Sequence, residues 1–402
     1  MNIEKDKFKE KNVDNCLGEL KSLAIACGGT GGHFYPGLSI ARYFKEKGGK
    51  VVLLLSGKHV TKQRLIAQEH GIEVLLCEAP LLTKNIFKLP IFTLKLLKDC
   101  LFAKKCLQKY EVDAFLAMGS FASVPWAFAA KLLAVPVFVH EGNARLGKAN
   151  RLITRLAKCL AKSYPLVNNN SCRCQSVITG MPIRPELKNS SRAKTKGRAI
   201  KELNREFTVN FDSKVPTLLI FGGSLGAKVF NDTIPEVLKG QFFNGIVDKK
   251  NITNKADIIQ IIHLTGENHF SATHDAYKQN NFKYLVLPYF EDMQLLYAAC
   301  DAVFCRSGGS TLSELAFFKK YAFLVPYPYA AENHQFDNAL VAEKTSAAQI
   351  ILNNDCSAEL INEKLQDWVL NHARYSKKGN FFAEVGYTDA ECRVIKMIEE
   401  HC

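Results

Sequence analysis

Ser22–His33 reads SLAIACGGTGGH and Thr217–Lys228 reads TLLIFGGSLGAK. Each is an apolar strand running into a glycine-rich turn, and each is followed by a helical pattern, the first expected to begin near Pro36. Glycine in such a turn lets the backbone approach a phosphate closely, while the free N–H groups of the helix start supply hydrogen bonds and partial positive charge. A strand-to-helix turn also uses glycine simply to reach positive φ, so one such turn decides little and two in one chain decide more.

Around these turns, short β-rich runs alternate with helical stretches. They are Leu23–Cys27, Val51–Leu55, Ala114–Ala117 and Val135–Val139 in the first half, then Thr217–Phe221, Ile258–His263, Tyr284–Leu287, Ala302–Cys305 and Ala322–Pro326. Buried strands spaced by helices predict an α/β fold with parallel sheets. At 402 residues and 47% hydrophobic content the chain exceeds one ordinary core. The segment KNSSRAKTKGR (188–198) is polar and basic apart from one alanine, as a solvated connection would be. The expected division is an extension at 1–21, a first domain at 22–182, a linker at 183–215 and a second domain at 216–380.

Composition excludes several classes. Thirteen cysteines without a metal-type CxxC pair point to free thiols in a reducing compartment, not to a disulfide framework or zinc site. The polar first twenty residues do not read as a secretory signal. Val124–Val139, broken by Lys131 and two prolines, falls short of the ~20 residues of a spanning helix. The net charge of +14 sits in the first half: residues 1–182 hold 27 Lys and Arg against 13 Asp and Glu, whereas residues 183–402 hold 26 of each. A partner that seeks positive charge meets that half. No nucleic-acid module or regular basic-aromatic groove is apparent, so nucleic acid is not an expected partner.

A nicotinamide-type dinucleotide site fails on the residues. In Gly29-Thr30-Gly31-Gly32-His33-Phe34 the third glycine of GxGxxG is Phe34, and the second strand ends at Ser56-Gly57 where a ribose-binding acid belongs. The richer segment is Cys305-Arg306-Ser307-Gly308-Gly309-Ser310-Thr311-Leu312-Ser313-Glu314, which follows a strand and opens a helix. Two readings stand. It holds a pyrophosphate at the helix N-terminus with Glu314 on ribose hydroxyls, or Thr311–Glu314 is a capping box whose glutamate returns to the backbone.

GGTGGHFYPG (28–37), HEGN (140–143), GMPIR (180–184), GGSLGAK (222–228), CRSGGSTLSE (305–314) and NHQFDNA (333–339) closely resemble, in order and spacing, the MurG family, from Ser22 to about Ile398. The resemblance implies a GT-B fold of two Rossmann-like parallel-sheet domains facing across a cleft, with a final helix at 389–399 packing back on the first domain. It implies inverting transfer of N-acetylglucosamine from UDP-N-acetylglucosamine to the undecaprenyl-pyrophosphoryl-muramoyl-pentapeptide of peptidoglycan synthesis, without a metal or other cofactor. By position, Thr30, Gly31 and Gly32 line the donor–acceptor cleft, and Asn143, Arg184 and Ser224 also contact the donor. Phe290 offers its backbone to uracil, Gly309, Ser310, Thr311, Leu312 and Ser313 cradle the diphosphate, Glu314 holds ribose, and His334 or Gln335 faces the sugar.

An inverting transfer requires a base for the acceptor hydroxyl and stabilisation of the departing diphosphate. His33, in the first glycine turn, is the expected base or acceptor-positioning group, since neutral imidazole titrates near working pH. The alternatives are that it only hydrogen-bonds the turn, or that Glu141 is the base. Two blocks depart from the family pattern: Gly142 replaces an amide side chain and Phe121 a tyrosine, each removing a potential hydrogen bond. Rival readings are another lipid-acceptor glycosyltransferase of this fold, or a silent nucleotide-sugar-binding protein.

Residues 80–110 hold seven lysines against one acid among many Leu, Ile and Phe. On a helix after Pro90, Lys95, Lys98, Lys105 and Lys109 fall within a narrow arc at ~100° per residue. Such a face is either the solvated side of a core helix or a peripheral dock on an anionic membrane surface, each lysine contributing ~1 kcal/mol. With a lipid-linked acceptor, the second reading places the chain on the cytoplasmic face of the inner membrane.

Overall fold

The computed structural model describes residues 20–77, 89–168, 171–189, 195–223, 225–239, 258–279, 281–380 and 387–402, with the main chain alone at 89–92 and 189. The first half carries β1 (Ser22–Ala26), β2 (Lys50–Leu55), β3 (Glu73–Leu76), β4 (Ala114–Ala117), β5 (Val137–Glu141), β6 (Cys159–Lys162) and β7 (Gln175–Ile178), all parallel in the order β3-β2-β1-β4-β5-β6-β7. The second carries β8 (Thr217–Phe221), β9 (Gln260–Leu264), β10 (Lys283–Leu287), β11 (Ala302–Cys305), β12 (Tyr321–Leu324) and β13 (Ala348–Ile350), parallel in the order β10-β9-β8-β11-β12-β13. These are two Rossmann-like sheets, the GT-B architecture.

Every residue of β1 and of β8 is buried. That explains their near-continuous apolar runs, because helices cover both faces of each sheet. Strand order reverses between β1 and β4 and again between β8 and β11. Open α/β sheets bind ligands at such a switch, beyond the carboxyl ends of the strands. The two glycine turns follow β1 and β8, so both quoted stretches end at a switch point.

The first helix spans Gly31–Glu46 and therefore starts before Pro36. Thr30 is its extended N-cap, and the N–H groups of His33 and Phe34 both donate to the Thr30 carbonyl, at 3.2 and 3.0 Å. The glycines and His33 thus occupy the first turn, while Pro36 sits deeper and forgoes one intrahelical bond.

The connection between the domains is shorter than 183–215. The helix Lys196–Phe207 buries Ala199, Ile200 and Leu203 in the second-half core, packed on the helix Met293–Ala299. Asn204 exchanges two 2.9 Å hydrogen bonds with the Phe211 backbone, closing that segment onto the domain. Apolar residues one turn apart outweigh the basic composition around them. The last helix, Ala390–His401, crosses back: Val394, Ile395, Met397 and Ile398 are buried in the first-half core beside Gly31–Glu46 and β6. The extension at 1–19 lies outside the described residues, as does 190–194 of the expected linker.

Two fully buried histidines set an acid limit on stability. His263 reaches only the Tyr277 hydroxyl, 3.0 Å from Nδ1, and burial lowers it to about 3. His140 is lowered to about 4, chiefly by burial. In an unfolded chain both titrate near ~6.5. Between pH ~6.5 and about 4 the unfolded state therefore binds protons that the native state refuses, and stability falls as pH falls. The urea midpoint is expected to drop steadily from pH 7 to pH 5, above the range of ordinary carboxylates. A midpoint constant over that interval would contradict it.

Candidate active site

A cleft of about 640 Å³ opens between the two switch points. From the first half it is lined by Thr30, Gly31, Gly32, His33, Asn143 and Arg184; from the second by Phe290, Gly309, Ser310, Thr311, Glu314 and His334. Leu312, Ser313, Gln335 and Glu141 are not among the lining residues, and Ser224 lies outside the described ones. Leu312 faces the core, and Gln335 turns its side-chain carbonyl to the Tyr327 N–H at 2.9 Å.

His33 is half-buried, with Nδ1 enclosed and unpaired among the described residues. Its ring rests over Gly119, where a Cβ would stand 2.7 Å from Nε2 and where φ is +118°; glycine is needed there on both counts. Burial, then the neighbouring His334, lowers His33 to about 4. The positive end of its own helix acts in the same sense. The ring is therefore neutral near pH 7, the state required of a base.

Glu141 is buried and its carboxylate is engaged by its own loop. Its oxygens accept from the backbone N–H of Asn143 (3.1 Å) and of Gly147 (3.0 Å), and from the amides of Asn143 (3.2 Å) and Asn150 (2.9 Å). Four donors from its own loop occupy the carboxylate, although burial raises its pKa. It holds the 141–150 loop in shape. Gly142 brings its carbonyl against Gly309, where a Cβ would lie 2.0 Å from that oxygen. A side chain at 142 would instead meet Met181.

The helix Gly309–Phe318 has Gly308 as its N-cap, with no side-chain cap. Thr311 lies inside the first turn, so the capping-box reading fails. Glu314 turns away from the backbone, accepting from the Tyr297 hydroxyl at 2.9 Å and facing Arg184 Nη2 at 3.5 Å. Burial raises the Glu314 carboxyl against the opposing pull of Arg184 and Tyr297. The N–H groups at the start of this helix open on the cleft as an anion site. Arg184, stacked over Tyr35 at 4.8 Å, spans the cleft between the domains.

Some cleft residues had no sequence signal. Lys62 lines it from the helix Val60–Glu69, and Tyr289 from the turn after β10. Asn338 links the domains, accepting from Ala144 N at 2.7 Å and donating to Asn143 Oδ1 at 3.1 Å. It stood inside a quoted block, yet nothing there marked it as a bridge. Among the described residues no three His, Cys, Asp or Glu gather as metal ligands would.

On the first domain's surface, Lys95, Lys98, Lys105 and Lys109 of the helix Leu89–Lys109 are exposed. Leu94 (69%), Leu97 and Leu101 are exposed with them, and Leu132 (71%) joins from the adjoining helix Ser123–Leu132. Ala103 and Leu107 are the buried side. The leucines and lysines together make one mixed apolar and basic face. No helix among the described residues is long and apolar enough to cross a membrane.

Residues 23–162 match the glycosyltransferase family 28 N-terminal domain and 217–391 its C-terminal domain. A protein of Shewanella frigidimarina is 31% identical over 95% of this chain and 97% of its own, and one of Thermodesulfovibrio yellowstonii is 31% identical over 88% and 91%. Both are named UDP-N-acetylglucosamine–N-acetylmuramyl-(pentapeptide) pyrophosphoryl-undecaprenol N-acetylglucosamine transferase. The crystal structure of Acinetobacter baumannii MurG superposes with a TM-score of 0.72 at 25% identity, covering 94% of this chain and 99% of that one.

Proposed function

The chain belongs to the MurG family of glycosyltransferases, and on that premise we propose that it moves N-acetylglucosamine from UDP-N-acetylglucosamine to undecaprenyl-pyrophosphoryl-muramoyl-pentapeptide, in the building of the cell wall on which shape and division depend. One observation carries the mechanism: the cleft sets a neutral His33 on one wall against the Gly309–Thr311 helix start and Glu314 on the other. His33 takes the proton of the acceptor hydroxyl as it attacks the sugar carbon. The helix start, with Arg184, stabilises charge on the departing UDP. Glu314 accepts from the ribose hydroxyls, Phe290 meets the uracil, and His334 faces the sugar. These fixed positive groups serve the diphosphate without a metal.

The test is transfer of labelled N-acetylglucosamine to the muramoyl-pentapeptide lipid, with and without chelator. Transfer unaffected by chelation supports the reading. UDP-sugar binding without transfer would favour a silent binding protein, and transfer only to another lipid a different acceptor.

The mixed leucine–lysine face supports peripheral docking on the cytoplasmic side of the inner membrane, where the acceptor lipid resides. Exposed apolar side chains enter the headgroup boundary while each lysine adds ~1 kcal/mol on anionic lipid. Changing Lys95, Lys98, Lys105 and Lys109 together to Glu is expected to abolish co-sedimentation with anionic vesicles, leaving transfer to a short-chain soluble acceptor within about twofold. Unaltered sedimentation would remove the docking surface.

A further inference from the structure

The start of the helix Gly309–Phe318 is gripped from the opposite domain. Tyr164 follows β6 and belongs by sequence to the first half, yet its ring is wholly buried in the second-half core. Its hydroxyl donates to the Gly309 carbonyl at 2.8 Å and shares a hydrogen bond with Ser313 Oγ. Gly309 and Ser313 are one turn apart on the same face. The phenol therefore holds the inward side of the turn whose N–H groups open on the cleft. Burial drives the Tyr164 pKa far up, so the hydroxyl remains a donor. Asn338 adds a second hold: its amide also donates to the Ser307 carbonyl at 3.0 Å, tying the 143–144 loop to the residues just before the helix.

We propose that Tyr164 is a positioning residue of the donor site: through Gly309 and Ser313, a hydroxyl from the acceptor-binding domain sets the orientation of the diphosphate cradle. This rests on the reading of the Gly309–Thr311 helix start as that cradle. Without the hydroxyl, Ser313 Oγ keeps only its long 3.4 Å approach to the Gly309 carbonyl, and the first turn loses its outside anchor.

The experiment is UDP binding by calorimetry, with steady-state transfer, on the wild type, Tyr164→Phe, Ser313→Ala and the double variant. Phenylalanine keeps the ring in the core. Tyr164→Phe is expected to raise the UDP Kd and donor KM about five- to tenfold, the scale of one lost hydrogen bond, with acceptor KM and kcat within about twofold. The double variant should be no weaker than the worse single one, since both remove the same link. Should Tyr164→Phe unfold the chain, Ser313→Ala removes the Ser313 half of the grip, leaving the bond to the Gly309 carbonyl, and is read in its place with a smaller loss expected. A wild type that does not bind UDP would overturn the cradle and this proposal together. A wild type that binds, with a Tyr164→Phe affinity within twofold, equal losses of donor and acceptor affinity, or effects that multiply in the double variant, would overturn the positioning role alone.

Discussion

His33→Ala is expected to lower kcat for transfer by about 10²–10⁴-fold while leaving donor KM within a few fold, the pattern of a lost general base. The ring lines the cleft in the first turn of its helix and is held near a pKa of about 4 by burial and by His334. A base must be unprotonated, so a lowered pKa keeps it competent from pH 7 down to about 5, and kcat at saturating donor should decline only as pH falls through about 4. An unperturbed histidine would place that decline near ~6.5. Turnover by His33→Ala within a few fold of wild type would exclude the assignment. A decline centred near 6.5 would show that the enclosure of the ring does not govern its titration. Glu141, the other candidate base, is held by four donors of its own loop.

Glu314→Ala is expected to reduce kcat/KM by about 10²-fold or more, chiefly through donor KM, because charge-assisted hydrogen bonds contribute ~1.5–3 kcal/mol each. The carboxylate joins Tyr297 to Arg184 across the cleft, and its removal also leaves a largely enclosed guanidinium without its counter-charge. Glu314→Gln, which keeps the Tyr297 contact, should fall between the two. Because burial raises the Glu314 pKa, its protonation begins above the usual carboxylate range. Donor affinity should accordingly weaken as pH falls, earlier than for an exposed glutamate, as UDP calorimetry would record. Equal donor KM in wild type and Glu314→Ala would sink the ribose role.

The parallel sheets were legible because β1 and β8 are buried on both faces and so must be apolar throughout. Shorter or half-exposed strands were not: Glu73–Leu76 and Gln175–Ile178 carry mixed residues at an edge of the first sheet and lack that signal. The helix Lys196–Phe207 was hidden by its basic composition, although Ala199, Ile200 and Leu203 already had helical spacing. For Glu314 the local pattern fitted both a cap and a ligand. Only the position of Tyr297 and Arg184, distant in sequence, separates them.

By itself the sequence determined two strand–glycine-turn–helix units and the residues at their switch points, because turn chemistry and strand burial are local demands that particular residue types must meet. Tertiary structure decided which of those residues act together. It set His33 over Gly119, closed Glu141 inside its loop, brought Gly142 against Gly309, and put Tyr164 of one domain under the donor helix of the other. Those relations depend on distance and burial between segments far apart in the chain, and no local pattern encodes them.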